Sequence, residues 1–132
     1  MMVQIWYKLN LYSMQKIERK IHSIDAKGRA LGRIASEVAV LLMGKHRPDY
    51  VPHHDMGDIV EITNIQGATF SGNKIEQKMY YRHSMYPGGL KTTQLKHLWE
   101  KNPSEVLRKS VSRMLPKNKL RIERMKRLII KN

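Results

Sequence analysis

The chain has 132 residues, 41% of them hydrophobic, with 25 Lys plus Arg against 11 Asp plus Glu and a formal net charge of +14. That length fits one domain able to bury roughly two-thirds of its unfolded surface, and the apolar fraction excludes a wholly disordered basic tail. Cysteine is absent, which removes disulfides, thiol catalysis and thiolate zinc sites, while the charge favours a polyanionic partner.

Residues 1–13 read as an extension outside the fold, and 14–132 as a single domain whose basic C-terminal segment starts near 117. The opening segment makes a poor secretory signal and a weak organellar transit peptide, because no basic stretch precedes its apolar residues and Arg19 is its first arginine. Val38 to Met43 is the longest apolar run, far short of the roughly twenty residues that span a bilayer. Ile21 to Ile24 alternate like a strand, and Asp25 to Gly28 read as the turn after it. Leu31, Ile34, Ala35, Val38, Leu41 and Leu42 recur at helical spacing, with Gly44 as a helix stop. Ile59 to Ile62 predict a second strand, Ala68 to Phe70 a short third and Met79 to Arg82 a fourth. Thr92 or Thr93 is suited to cap a short helix running through Trp99. Asn102, Pro103 and Glu105 then supply an N-cap, a proline at the first helical position and a capping-box-like acid, ahead of a buried stripe of Leu107, Val111, Met114 and Leu115. If 117–131 is helical, Lys117, Arg121, Arg124 and Lys131 share one face and Ile122, Met125 and Ile129 another, so the segment could dock by one face and meet RNA by the other.

Charge is unevenly placed. Residues 67–132 hold sixteen basic and four acidic side chains, against nine and seven in 1–66. Within the second half, Ser71 to Lys91 interleaves cations, aromatics and glycines. Lys74, Lys78, Arg82 and Lys91 can neutralise phosphates, Tyr80, Tyr81 and Tyr86 offer flat faces, and the Pro87-Gly88-Gly89 turn could bring backbone N–H groups close to a phosphate. On a strand Tyr80 and Tyr81 point to opposite faces, so one packs inward and the other faces outward. The bland alternative is a half-buried strand with solvated lysines.

Other chemistry is weaker. His53, His54, Asp55 and Asp58 include ligand types for a divalent metal, which would suit a phosphodiesterase, but adjacent histidines on an extended chain diverge and no second carboxylate cluster completes the site. Gly28 and Gly32 lack the spacing of a nucleotide-binding loop. His46, in GKHRPDY, suits phosphate contact and plain solvation equally. A free nucleic-acid-binding regulator is a third reading of the same charge.

The order SGNK, YYRHS, PGGLK resembles the central block of the bacterial-type large ribosomal subunit protein thirteen family. IDAKGRALGRIASEVAVLLMGKHRPDYVPHHDMGD upstream and VSRMLPKNKL downstream are similar to it in the same order, covering about residues 20 to 128. Met85 departs from the family's usual glycine, and Asn118 and Arg121 stand where glycines are common. The resemblance implies a three-layer α/β/α domain with a four-stranded sheet, no enzymatic activity and no cofactor or metal. It implies a monomer within the ribosome that joins the large subunit early in assembly, bound to large-subunit ribosomal RNA and to neighbouring ribosomal proteins, with no membrane partner. The bacterial cytoplasm is favoured over an organelle. The RNA-binding residues so expected are Lys27, Arg29 and Arg33 in the first block, Lys45, His46 and Arg47 after the first helix, Lys74, Lys78, Tyr80, Tyr81, Arg82, His83, Gly88, Gly89 and Lys91 in the central block, and Arg113, Lys117, Lys119, Arg121, Arg124 and Arg127 in the last.

Overall fold

A computed structural model describes residues 17–131, so the expected extension at 1–13 lies outside the described residues. The elements in chain order are β1 (Ile21–Asp25), α1 (Leu31–Met43), β2 (Ile59–Thr63), a 3₁₀ turn (Ile65–Gly67), α2 (Lys74–Gln77), β3 (Met79–His83), β4 (Leu90–Gln94), α3 (Leu95–Lys101), α4 (Pro103–Met114), α5 (Leu120–Lys126) and β5 (Leu128–Ile130). Together they form one mixed α/β domain.

The four-stranded sheet is corrected to a three-stranded parallel sheet of order β1-β2-β5 and a separate antiparallel pair of β3 and β4. Ala68 to Phe70 forms no full strand. A single bridge joins Thr69 to Ala30, because the preceding 3₁₀ turn brings the chain alongside α1's start and then away. Thr92 and Thr93 cap no helix. They lie in β4 opposite Tyr81 and Tyr80, where β-branched and aromatic side chains pair well across strands.

The largest correction is at the C-terminal end. The expected helix over 117–131 ends at Lys126, and Leu128–Ile130 becomes the third sheet strand, with Val60 opposite Leu128 and Ile62 opposite Ile130. Lys131 N–H donates to the Ile62 carbonyl at 2.8 Å. Leu128, four residues past Arg124 and so on the basic face of a continuous helix, is buried in the core, while Ile122, expected on the docking face, is 66% exposed. A strand's two-residue period replaces the helix's 3.6 at this point, so the faces change places.

α1 folds as its spacing predicts, burying Leu31, Ile34, Ala35, Val38 and Leu42 and stopping at Gly44, whose φ of 81° is left-handed. Val60 and Ile62 of β2 lie fully buried with them, and α4 closes the core with Val106, Leu107 and Val111. Met114, expected in that stripe, is 42% exposed, and Val106 takes the inward position instead. The α4 cap forms as expected: Asn102 accepts from the Glu105 N–H at 3.3 Å, with Pro103 at the first turn. Asn102→Ala should cost about 1 kcal/mol in urea denaturation at unchanged m-value. Met85, the departure from the family's glycine, adopts a φ of 67°, the left-handed region in which a glycine is unstrained.

Candidate nucleic-acid interface

The β3–β4 hairpin carries the central block. Strand alternation buries Tyr80 at 7% exposure and leaves Tyr81 at 65%, and Tyr86 at the hairpin end is 76% exposed. Burial pushes the Tyr80 hydroxyl's pKa up, against the nearby Arg113 charge, which lowers it. Arg82 stands directly opposite Lys91 across the ladder. His83 is exposed beside them, and its Nδ1 accepts from the Met85 N–H at 3.0 Å. Of the two glycines expected to approach a phosphate, Gly89 spends its N–H on the Tyr86 carbonyl at 2.9 Å. A Cβ there would lie 1.9 Å from Ser84 Oγ, so glycine at 89 serves the turn's own packing. Gly88 is exposed, with a left-handed φ of 70°.

Behind the hairpin, α1's first turn, α2, β3 and α4 enclose a cavity of about 510 Å³. Arg33, Lys74, Lys78 and Arg113 line it together with Tyr80, so five of the expected residues converge here from three separate stretches of sequence. The cations of Lys78, Lys109 and Arg113 lie 5.7, 5.2 and 5.3 Å from the Tyr80 ring centroid, within cation–π range. Sequence reading missed Lys109. Its place four residues before Arg113 puts both on one face of α4, and that spacing could have found it.

The remaining expected residues divide. Lys27, Lys45, Lys117 and Lys119 are exposed, Arg121 is half-buried, and Arg29 is tied to Glu37 at 2.5 Å. Three arginines turn inward. Arg124, expected on an exposed basic face, is fully buried, with Nε 3.6 Å from Asp55. Arg127 grips the same carboxylate through two contacts of 2.5 and 2.6 Å, and Arg47 pairs with Asp58. These bind the chain to itself, since α5 and the loop after α1 converge where β2 begins. His46 joins them, its Nε2 lying 2.8 Å from Asp58.

Asp58 is the hub of that convergence. Wholly buried, it accepts from Arg47, from His22 Nε2 at 2.9 Å, from His46 and from the Lys20 N–H at 3.2 Å. Burial alone would raise its pKa, but the hydrogen bonds from His22, Arg47 and Lys20 outweigh that and hold it at about 2. His22, His46 and Asp58 place three possible ligand atoms within 4.8 Å of one another, a different set from the His53, His54, Asp55, Asp58 group read from sequence. Asp58 already carries the Arg47 charge, which opposes a second cation at the same oxygens. His53 and His54 do not diverge: their ring centroids are 4.4 Å apart, and Asp55 is engaged by Arg127.

Comparison with known proteins gives a consistent assignment. A family model described as Ribosomal protein L13 matches residues 19–130. The chain is 44% identical over 121 residues, 92% of its length and 81% of the relative's, to the large ribosomal subunit protein uL13 of Thermotoga petrophila. It is 50% identical over 114 residues to the protein of that name from Aquifex aeolicus, covering 86% of this chain and 79% of the relative. For Kocuria rhizophila the identity is 47% over 112 residues, covering 85% and 76%.

Proposed function

Because the chain belongs to the ribosomal protein L13 family, we propose that its exposed cations bind large-subunit ribosomal RNA and help the subunit assemble. It is a structural, non-enzymatic constituent of the large ribosomal subunit, and translation is the process it serves. The related proteins are bacterial, which supports a bacterial ribosome in the cytoplasm as its place of work, and among the described residues no helix is long and apolar enough to cross a membrane. Within the subunit it works as a monomer against RNA and neighbouring ribosomal proteins.

The observation that carries the RNA reading is the pairing of Arg82 with Lys91. Like charges placed directly opposite each other destabilise a hairpin, and these two are exposed on a ladder that among the described residues has two strands. A phosphate between or beside them removes the repulsion. Cations of this kind act mainly by releasing counterions from the RNA backbone. Replacing both with alanine should therefore lower the log–log salt slope of large-subunit RNA binding by about two units while leaving the fold intact. An unchanged slope would exclude both residues from the interface. Co-sedimentation of the chain with large subunits through a high-salt wash tests the reading as a whole, and release into the supernatant at moderate salt would count against it.

A further inference from the structure

We propose that the cavity between α1's first turn, β3 and α4 receives a single unstacked nucleotide of RNA, with its base and sugar on the apolar floor and its phosphate at the basic rim. The inference rests on the RNA-binding reading above and names a subsite within it.

Three observations converge on that ligand. The first is size: about 510 Å³ suits a ligand the size of one nucleotide and is too small for a helical segment. The second is chemistry. Leu31, Phe70, Leu95 and Val106 give the cavity an apolar lining, Arg33, Lys74, Lys78 and Arg113 supply four cations, and among the described residues no carboxylate lines it. The third is an unresolved repulsion. Lys78, Lys109 and Arg113 crowd around one tyrosine ring, yet only Lys109 has an acidic partner, Glu105 at 2.8 Å. Among the described residues Lys78 and Arg113 form no ion pair. Cation–π attraction of about 0.5–2 kcal/mol per cation is shared here among three like charges. An anion at the mouth would turn the cluster from a repulsive one into a bridged one.

A free inorganic anion would answer the charge and leave the half-buried Phe70 and the exposed Met114 in the lining uncovered. A flat apolar body joined to a phosphate answers both halves of the cavity. The polar side chains able to read base edges are few, chiefly the hydroxyls of Thr69, Ser71 and Ser110. Recognition is therefore by stacking and charge, tolerant of base identity, as befits a nucleotide turned out of a helix.

The test uses the full chain and amide NMR at fixed salt, titrated in parallel with AMP, CMP, ribose 5-phosphate, inorganic phosphate and the acidic dipeptide N-acetyl-Tyr-Glu. AMP and CMP should shift the amides of Ser71, Lys78 and Ser110 with Kd values within a few-fold of each other and about tenfold below that of ribose 5-phosphate, the increment expected of base–aromatic contact. Ser110→Phe, which fills the cavity, and Arg113→Gln, at its exposed rim, should each weaken AMP about tenfold. The second variant keeps the test valid if the first does not fold. Phosphate binding as tightly as AMP would overturn the proposal in favour of a plain anion site, and tighter binding of the dipeptide would overturn it in favour of a protein tail. If neither nucleotide binds while large-subunit RNA still does, the subsite is wrong and the RNA reading stands. If large-subunit RNA fails to bind the parent chain, that reading falls and takes the RNA source of the nucleotide with it.

Discussion

Truncation after Pro116 is expected to abolish cooperative melting. The compositional view of this stretch, seven cations and one acid, suggests a grip that can be removed without harming the fold. The structure reverses that expectation. The deleted residues include β5, which hydrogen-bonds along β2, and Leu128, which is 2% exposed in the core. They also include Arg124 and Arg127, whose loss leaves the half-buried Asp55 with Arg19 at 3.6 Å in place of three arginines. Removing a sheet strand, a core leucine and two of the three arginines around one half-buried carboxylate is of the same order as the about 5–15 kcal/mol that stabilises a domain of this size. Circular dichroism with thermal melting decides the matter, and a truncated chain that melts cooperatively within a few degrees of the parent would show that β5 is dispensable.

Asp58→Asn should destabilise the domain by about 3–5 kcal/mol at neutral pH, the usual cost of breaking a buried ion pair from one side. The substitution keeps the volume and an acceptor oxygen but strips the charge that faces Arg47, whose side chain is only 17% exposed. Acid provides an independent check. The Asp58 carboxyl has a folded pKa of about 2, below its ordinary 3.8. The unfolded chain therefore takes up the proton first as pH falls. The contribution is complete above about pH 4 and is lost progressively between pH 4 and 2. The asparagine variant should show a flatter fall across that window in urea titrations. Some slope remains from Asp55, whose burial would raise its pKa but whose contacts with Arg127 lower it. Equal slopes in parent and variant would mean that Asp58 is not the acid-labile centre.

Elements whose partners are near in sequence, or whose period is unambiguous, were legible without a structure. α1 has an apolar stripe that only a helix can satisfy and a glycine where it must stop, and α4 announces itself through Asn102 and Pro103. β4 was misread because Thr92 and Thr93 serve equally as caps and as strand residues. Their pairing with Tyr81 and Tyr80 settles which, and that is a tertiary fact. Leu128–Ile130 is three apolar residues after a charged run, too short for periodicity to separate strand from helix. The candidate site shows the same division. Exposed cations such as Arg82 and Lys91 could be named from composition, since a solvated charge needs no particular neighbour. Arg47, Arg124 and Arg127 could not be told apart from them, because what draws each inward is an aspartate placed by the fold of another segment.

The position of β2 between β1 and β5 governs the order in which this chain can mature. Val60 pairs with Leu128, 68 positions further along, whereas its other neighbour, His22, precedes it by 38. A ribosome making this protein therefore releases the central strand long before its second flank exists. Throughout that interval a buried-type strand, apolar and with one hydrogen-bonding edge open, must wait in solution or in the keeping of a chaperone. Contacts this distant in sequence also slow the search for the native state. Any partner that shelters the half-made sheet thus shortens its exposure, and the delay between synthesis and a complete fold becomes a property written into strand order.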